Sequence, residues 1–101
     1  MLYAAYTSAE GVEESRVFNT WEQYHAATFS PGTETKTLIP FEIHGRTYAE
    51  RRRSVEETAA RFSTEEEPGL SYGELFAVCN WFQEQGRRFG LLHEFHENGL
   101  I

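Results

Sequence analysis

Apolar residues recur with a helical period over Ser71–Arg88 (SYGELFAVCNWFQEQGRR) more clearly than anywhere else in the chain. At 100° per residue, Tyr72, Leu75, Phe76, Val78, Cys79, Phe82, Gly86 and Phe89 fall in one arc of roughly 160°. That arc is wider than a surface helix needs, so the pattern predicts the central packing helix. Ser71 and Glu74 have capping-box spacing, Arg87 and Arg88 suit the negative end of the helix dipole, and Gly90 offers a left-handed stop. Gly86 lies near the middle of the arc, where alanine would favour the helix by about 1 kcal/mol. A glycine there implies that another backbone passes close by.

Alternation with a period of two opens the chain. Leu2–Thr7 (LYAAYT) predicts a strand, Ser8–Glu14 with Gly11 a turn, and Ser15–Phe18 a returning strand. Thr20 and Gln23 repeat the capping-box spacing and open a helix from about Trp21 to Thr28, stopped by Ser30-Pro31-Gly32. Thr35–His44 alternates again, with Thr37, Ile39, Phe41 and Ile43 on one face; Pro40 predicts an edge strand or a bulge. Thr47 and Glu50 open a helix over Tyr48–Phe62, whose apolar seam of Tyr48, Val55, Ala59 and Phe62 is thin. Ser63–Gly69 (STEEEPG) reads as a charged linker and Glu65–Glu67 as a solvated run. Leu91–Glu97 is expected to be a short helix with Leu91, Leu92 and Phe95 inward, and Leu100-Ile101 an apolar end tucked against something. The expected fold is α+β: one domain over residues 1–101, with a small, mainly antiparallel three-stranded sheet. Its order is ββαβ followed by two or three helices, packed on one face of the sheet.

Composition narrows the function classes. All sixteen acids are glutamate, eight of the nine strong bases are arginine, and the net charge is −7. That balance argues against general nucleic-acid binding, which needs surplus cations. The absence of aspartate removes the usual member of a Ser-His-Asp or two-aspartate site. Fifteen aromatics in 101 residues can fill a core or supply a binding face. The single cysteine excludes an internal disulfide, no apolar run approaches a membrane span, and nothing at the amino terminus resembles a signal peptide. A cytoplasmic protein with no membrane contact is expected.

Few residues suggest chemistry. Cys79 falls mid-helix within the apolar arc and is expected to be a small buried hydrophobe rather than a nucleophile. His93, His96 and Glu97 stand at i, i+3 and i+4, where all three can face one ion. The spacing is not H-E-x-x-H, however, and a solvated polar face explains it equally, so these residues are weak metal candidates only. Arg46, Arg51, Arg52 and Arg53 crowd a helix start against its dipole, which suggests a partner-binding patch. The i,i+4 pairs Arg52–Glu56, Arg53–Glu57 and Glu57–Arg61 account for much of the same pattern. Trp81 lies at the margin of the long helix's apolar arc, as a core edge or an interface anchor. There is no phosphate-binding glycine loop, nucleophile elbow or zinc-finger spacing. No catalytic residue and no cofactor is expected.

Two stretches, HGRTYAERRRSVEE (His44–Glu57) and GRRFGLLHEFHENGLI (Gly86–Ile101), resemble small accessory proteins of bacterial phages and conjugative elements. The resemblance implies a host protein or a nucleic-acid-handling machine as partner and brings no site residues with it. The expectation is therefore a small acidic, non-enzymatic interaction protein, self-associating, with contacts at Trp81, Arg46, Arg51–Arg53, Leu100 and Ile101. One alternative is an acidic nucleic-acid mimic that inhibits a host defence system, of anti-restriction or anti-CRISPR type. It predicts Glu10, Glu13, Glu14, Glu22 and Glu34 spread over one face. Another is a metal-binding module using His93, His96 and Glu97.

Overall fold

The computed structural model describes residues 1–66 and 69–101; Glu67 and Pro68, within the expected linker and acidic run, lie outside the described residues. The chain is an α+β fold. Its elements run β1 (Leu2–Thr7), β2 (Glu13–Phe18), α1 (Trp21–Ala26), β3 (Glu34–Pro40), α2 (Tyr48–Phe62), α3 (Tyr72–Phe89) and α4 (Leu92–Glu97). They group into two compact units. The first comprises Met1–Phe41 and Glu66–Ser71, the second Glu42–Glu65 and Tyr72–Ile101. Among the described residues, no helix is long and apolar enough to cross a membrane.

In the first unit the sheet order is β2-β1-β3, antiparallel throughout. β1 is the central strand, paired along both edges, and Leu2, Tyr3, Ala4 and Tyr6 are all buried, so residues on both of its faces are covered. Gly11, at φ 82°, turns β1 into β2, with Ser8 N–H donating to Val12 O at 2.9 Å. β3 is an edge strand ending at Pro40, where a missing N–H costs least. The bulge falls elsewhere: Ala5 pairs with Thr37 and Tyr6 with Thr35, so Lys36 is the extra residue. α1 is shorter than its pattern predicts. Thr20 Oγ1 accepts from Gln23 N–H at 3.1 Å, and Gln23 Oε1 accepts from Asn19 N–H at 3.1 Å.

The second unit is helical. α2 starts on a similar reciprocal cap: Thr47 Oγ1 accepts from Glu50 N–H at 3.1 Å, and Glu50 Oε2 accepts from Arg46 N–H at 2.9 Å. α3 ends at left-handed Gly90, with Leu91 N–H reaching back to Gly86 O at 2.7 Å. α4 ends likewise at Gly99, with Leu100 N–H donating to Phe95 O at 2.9 Å. Both closures satisfy carbonyls that a helix terminus leaves open. Phe82 is the hub of the packing, its ring 5.8 Å from Phe62 and 5.4 Å from Phe95, with Val55, Val78, Phe89 and Leu91 also buried.

Two expectations about α3 need correction. The buried face consists of Val78, Phe82, Gly86 and Phe89, while Tyr72, Phe76 and Cys79 are exposed. These three lie about 100–160° around the helix from Val78. On the buried side, Phe82 meets Phe62 of α2 and Phe95 of α4. Cys79 is accordingly not a buried small hydrophobe. Gly86 is pressed chiefly by side chains: a Cβ there would lie 3.0 Å from Phe95 Cδ2 and 3.1 Å from Leu92 Cδ2, with Leu92 N next at 3.4 Å. In α2, Tyr48 is exposed although its ring tilts onto Phe89 at 5.4 Å, and Thr58 takes the buried place beside Ala59.

Candidate interaction site

The residues singled out for partner binding take structural roles to differing degrees. Arg52 joins three elements: its Nε–H donates to Phe89 O at 3.0 Å, and its guanidinium reaches Glu56 at 3.5 Å and Glu94 at 3.9 Å. A positive group at the last carbonyl of α3 is where the helix dipole favours it. The backbone N–H of Arg46 serves the α2 cap. Arg51 is half-buried and Arg53 exposed. Leu100 is buried and so offers no open contact; Ile101 is half-buried. Trp81 is half-buried, edge-on to Phe82 at 5.2 Å, consistent with the margin position its spacing implies. His93 Nε2 and Glu97 Oε1 lie 3.0 Å apart, and His96 is exposed. Among the described residues, no group of three or more His, Cys or Glu is placed to hold a metal ion.

The two most exposed large hydrophobics lie side by side on the first half of α3. Tyr72 is 89% exposed and Phe76 68%, and with Leu75 and Cys79 they line a shallow groove of about 220 Å³. Tyr72, Phe76, Cys79, Gln83 and Arg87 are spaced four, three, four and four apart, so they form one stripe along the helix. Every residue of that stripe is exposed. Sequence periodicity counted Tyr72, Phe76 and Cys79 into the core because a helical repeat reads the same for a second apolar face as for one broad one. The available signal was the excess width of the arc.

A second concavity, about 300 Å³, lies in the first unit beside Tyr6, Glu14, Arg16 and Phe29. Tyr6 and Phe29 meet edge to face at 5.0 Å, and the Arg16 guanidinium sits over both rings, 5.6 Å and 5.3 Å from their centroids. Tyr6 donates its hydroxyl to Glu14 Oε2 at 2.9 Å. Burial pushes the Tyr6 phenol above its ordinary pKa, and the bond to Glu14 adds to this, while Arg16 acts in the opposite direction. No sequence signal marked this pocket, since its residues come from β1, β2 and the segment after α1. Of the acids assigned to a mimicking face, Glu13 pairs with Lys36 at 3.1 Å across the sheet, and Glu14 shares its strand face with Arg16. Cations thus stand among these glutamates, which does not favour nucleic-acid mimicry. No family model, no curated protein and no solved structure matches the chain.

Proposed function

We propose that this chain is a small, non-enzymatic, cytoplasmic interaction protein that works as a homodimer, joined through the exposed stripe of α3. The adjacent exposure of Tyr72 and Phe76 carries the proposal, since two large aromatics side by side on one helix are the usual makings of a contact. The rest of the stripe favours a second copy as the occupant. Two antiparallel α3 helices related by a two-fold axis between positions 79 and 80 set Phe76 against Gln83 of the other copy. The same operation sets Tyr72 against Arg87, a cation–π pairing. It also sets the positive, amino-terminal end of each α3 dipole beside the negative, carboxy-terminal end of the other. The resemblance of His44–Glu57 and Gly86–Ile101 to phage and conjugative-element accessory proteins supports an accessory role for that dimer.

Area sets the strength. At ~150–250 Å² per aromatic side chain, Tyr72 and Phe76 together offer roughly 300 Å² per copy, against about 800 Å² per partner in a standard interface. Even with flanking Asn80, Gln83 and Arg87 the patch stays below that area, so the association is concentration-dependent and of modest affinity. Light scattering across a concentration series is expected to show monomer giving way to dimer, and Phe76→Glu to hold the chain monomeric. The two-fold axis brings both Cys79 thiols together, so a short bismaleimide is expected to link wild-type copies through the single cysteine. A strictly monomeric wild type, or a dimer indifferent to Phe76→Glu, would refute the reading.

A further inference from the structure

The pocket of the first unit has the features of a built site. Its rim consists of two turns in direct contact: Gly32, at φ 86°, lies so close to Ala9 that a Cβ there would stand 2.7 Å from the Ala9 Cβ. The Ser30–Thr33 turn is closed by Thr33 N–H to Ser30 O at 3.2 Å and lies against the β1–β2 hairpin turn only because position 32 has no side chain. Glu14 and Arg16 occupy alternate positions of β2, on one face, with Cα atoms about 6.8 Å apart. Opposite charges so placed ordinarily pair. Here Tyr6 holds Glu14 by a hydrogen bond, and the Tyr6 and Phe29 rings hold Arg16. Among the described residues, neither Arg16 nor Glu10, which also lines the pocket, makes an ion pair.

A carboxylate and a guanidinium pinned side by side but apart present a fixed dipole to anything entering the pocket. Its complement is a small molecule bearing an anion and a cation at neighbouring atoms. The volume, about 300 Å³, lies at the low end of the range for small-molecule sites. Two glutamates against one arginine give the lining a formal charge of −1, which favours a ligand of net charge zero or +1. Hydroxyls of Thr28, Ser30 and Thr33 on the wall add neutral donors and acceptors.

We propose that this pocket binds a free α-amino acid, basic ones ahead of neutral ones, with the ligand carboxylate on Arg16 and its α-ammonium between Glu14 and Glu10. The site belongs to the first unit alone and is independent of dimer formation through α3. Calorimetric titration of the full chain with L-lysine, Nα-acetyl-L-lysine and L-lysine methyl ester tests both ends of the ligand separately. L-lysine is expected to bind, and each derivative to bind about tenfold more weakly, the loss of one charge-assisted contact. In Arg16→Gln, L-lysine and its methyl ester become equivalent; in Glu14→Gln, L-lysine and its Nα-acetyl derivative converge. Absence of binding at millimolar L-lysine, or equal binding of all three probes to the wild type, overturns the proposal. Because the probe comparison uses the unaltered chain, it holds even where a variant fails to fold.

Discussion

Tyr6 is a residue whose surroundings change its chemistry. Its phenol is buried and donates to Glu14, so the folded chain retains this proton where the unfolded chain has released it. The stability Tyr6 contributes is therefore complete below its ordinary value of 10.0 and is lost as pH climbs through the raised folded value. Tyr6→Phe is expected to flatten part of the alkaline loss of stability while lowering stability at neutral pH by about 1 kcal/mol. Urea melts at pH 7 and above pH 10.0 measure both effects. Other single residues show what a sequence does and does not state. Gly86 announced a close approach by costing helix propensity, but the neighbours turned out to be mainly the side chains of Phe95 and Leu92. Cys79 gave no hint of exposure, since a small hydrophobe on the shoulder of an apolar arc reads the same in either surroundings.

Elements were more legible where short polar motifs mark their ends. The Thr20/Gln23 and Thr47/Glu50 spacings locate the starts of α1 and α2; each threonine hydroxyl caps as expected, while the returning Gln23 and Glu50 side chains take the N–H of the residue before the cap. The left-handed glycines 90 and 99 locate the ends of α3 and α4. The bulge at Lys36 was not legible, because slipping one polar residue of an edge strand disturbs no apolar pattern. Contacts between helices were also hidden, and Arg52 illustrates the reason. Its i,i+4 partner Glu56 is visible in the sequence, whereas Phe89 O and Glu94 are 37 and 42 positions away. With about a third of its side chain exposed, Arg52 is screened by solvent, so Arg52→Gln is expected to cost only about 1 kcal/mol. That loss should appear as a lower denaturation midpoint with an unchanged denaturant slope.

At the scale of the molecule, charge and surface act against each other. Copies carrying −7 each repel, whereas the α3 stripe gains by leaving water. Screening reaches about 10 Å at 0.1 M salt, so dimer formation is expected to strengthen as ionic strength rises from very low values. Sedimentation at two salt concentrations checks this; weakening with salt would mean that charge pairs, rather than Tyr72 and Phe76, hold the copies together. Fold class followed from the alternation of strand and helix periods. The surface did not, because which apolar residues stay outside depends on how many partners the other elements supply.

The route of the chain between its units bears on how such a protein can be altered by genetic change. It crosses to the second unit at Glu42, returns for Glu66–Ser71, where Gly69 lies against Glu14 and Ser15 of β2, and departs again at Tyr72. Neither unit is a contiguous stretch, so neither can be duplicated, transplanted or deleted by a single recombination event. A premature stop before codon 66 removes a segment of each, and gene shuffling passes the two on whole only together.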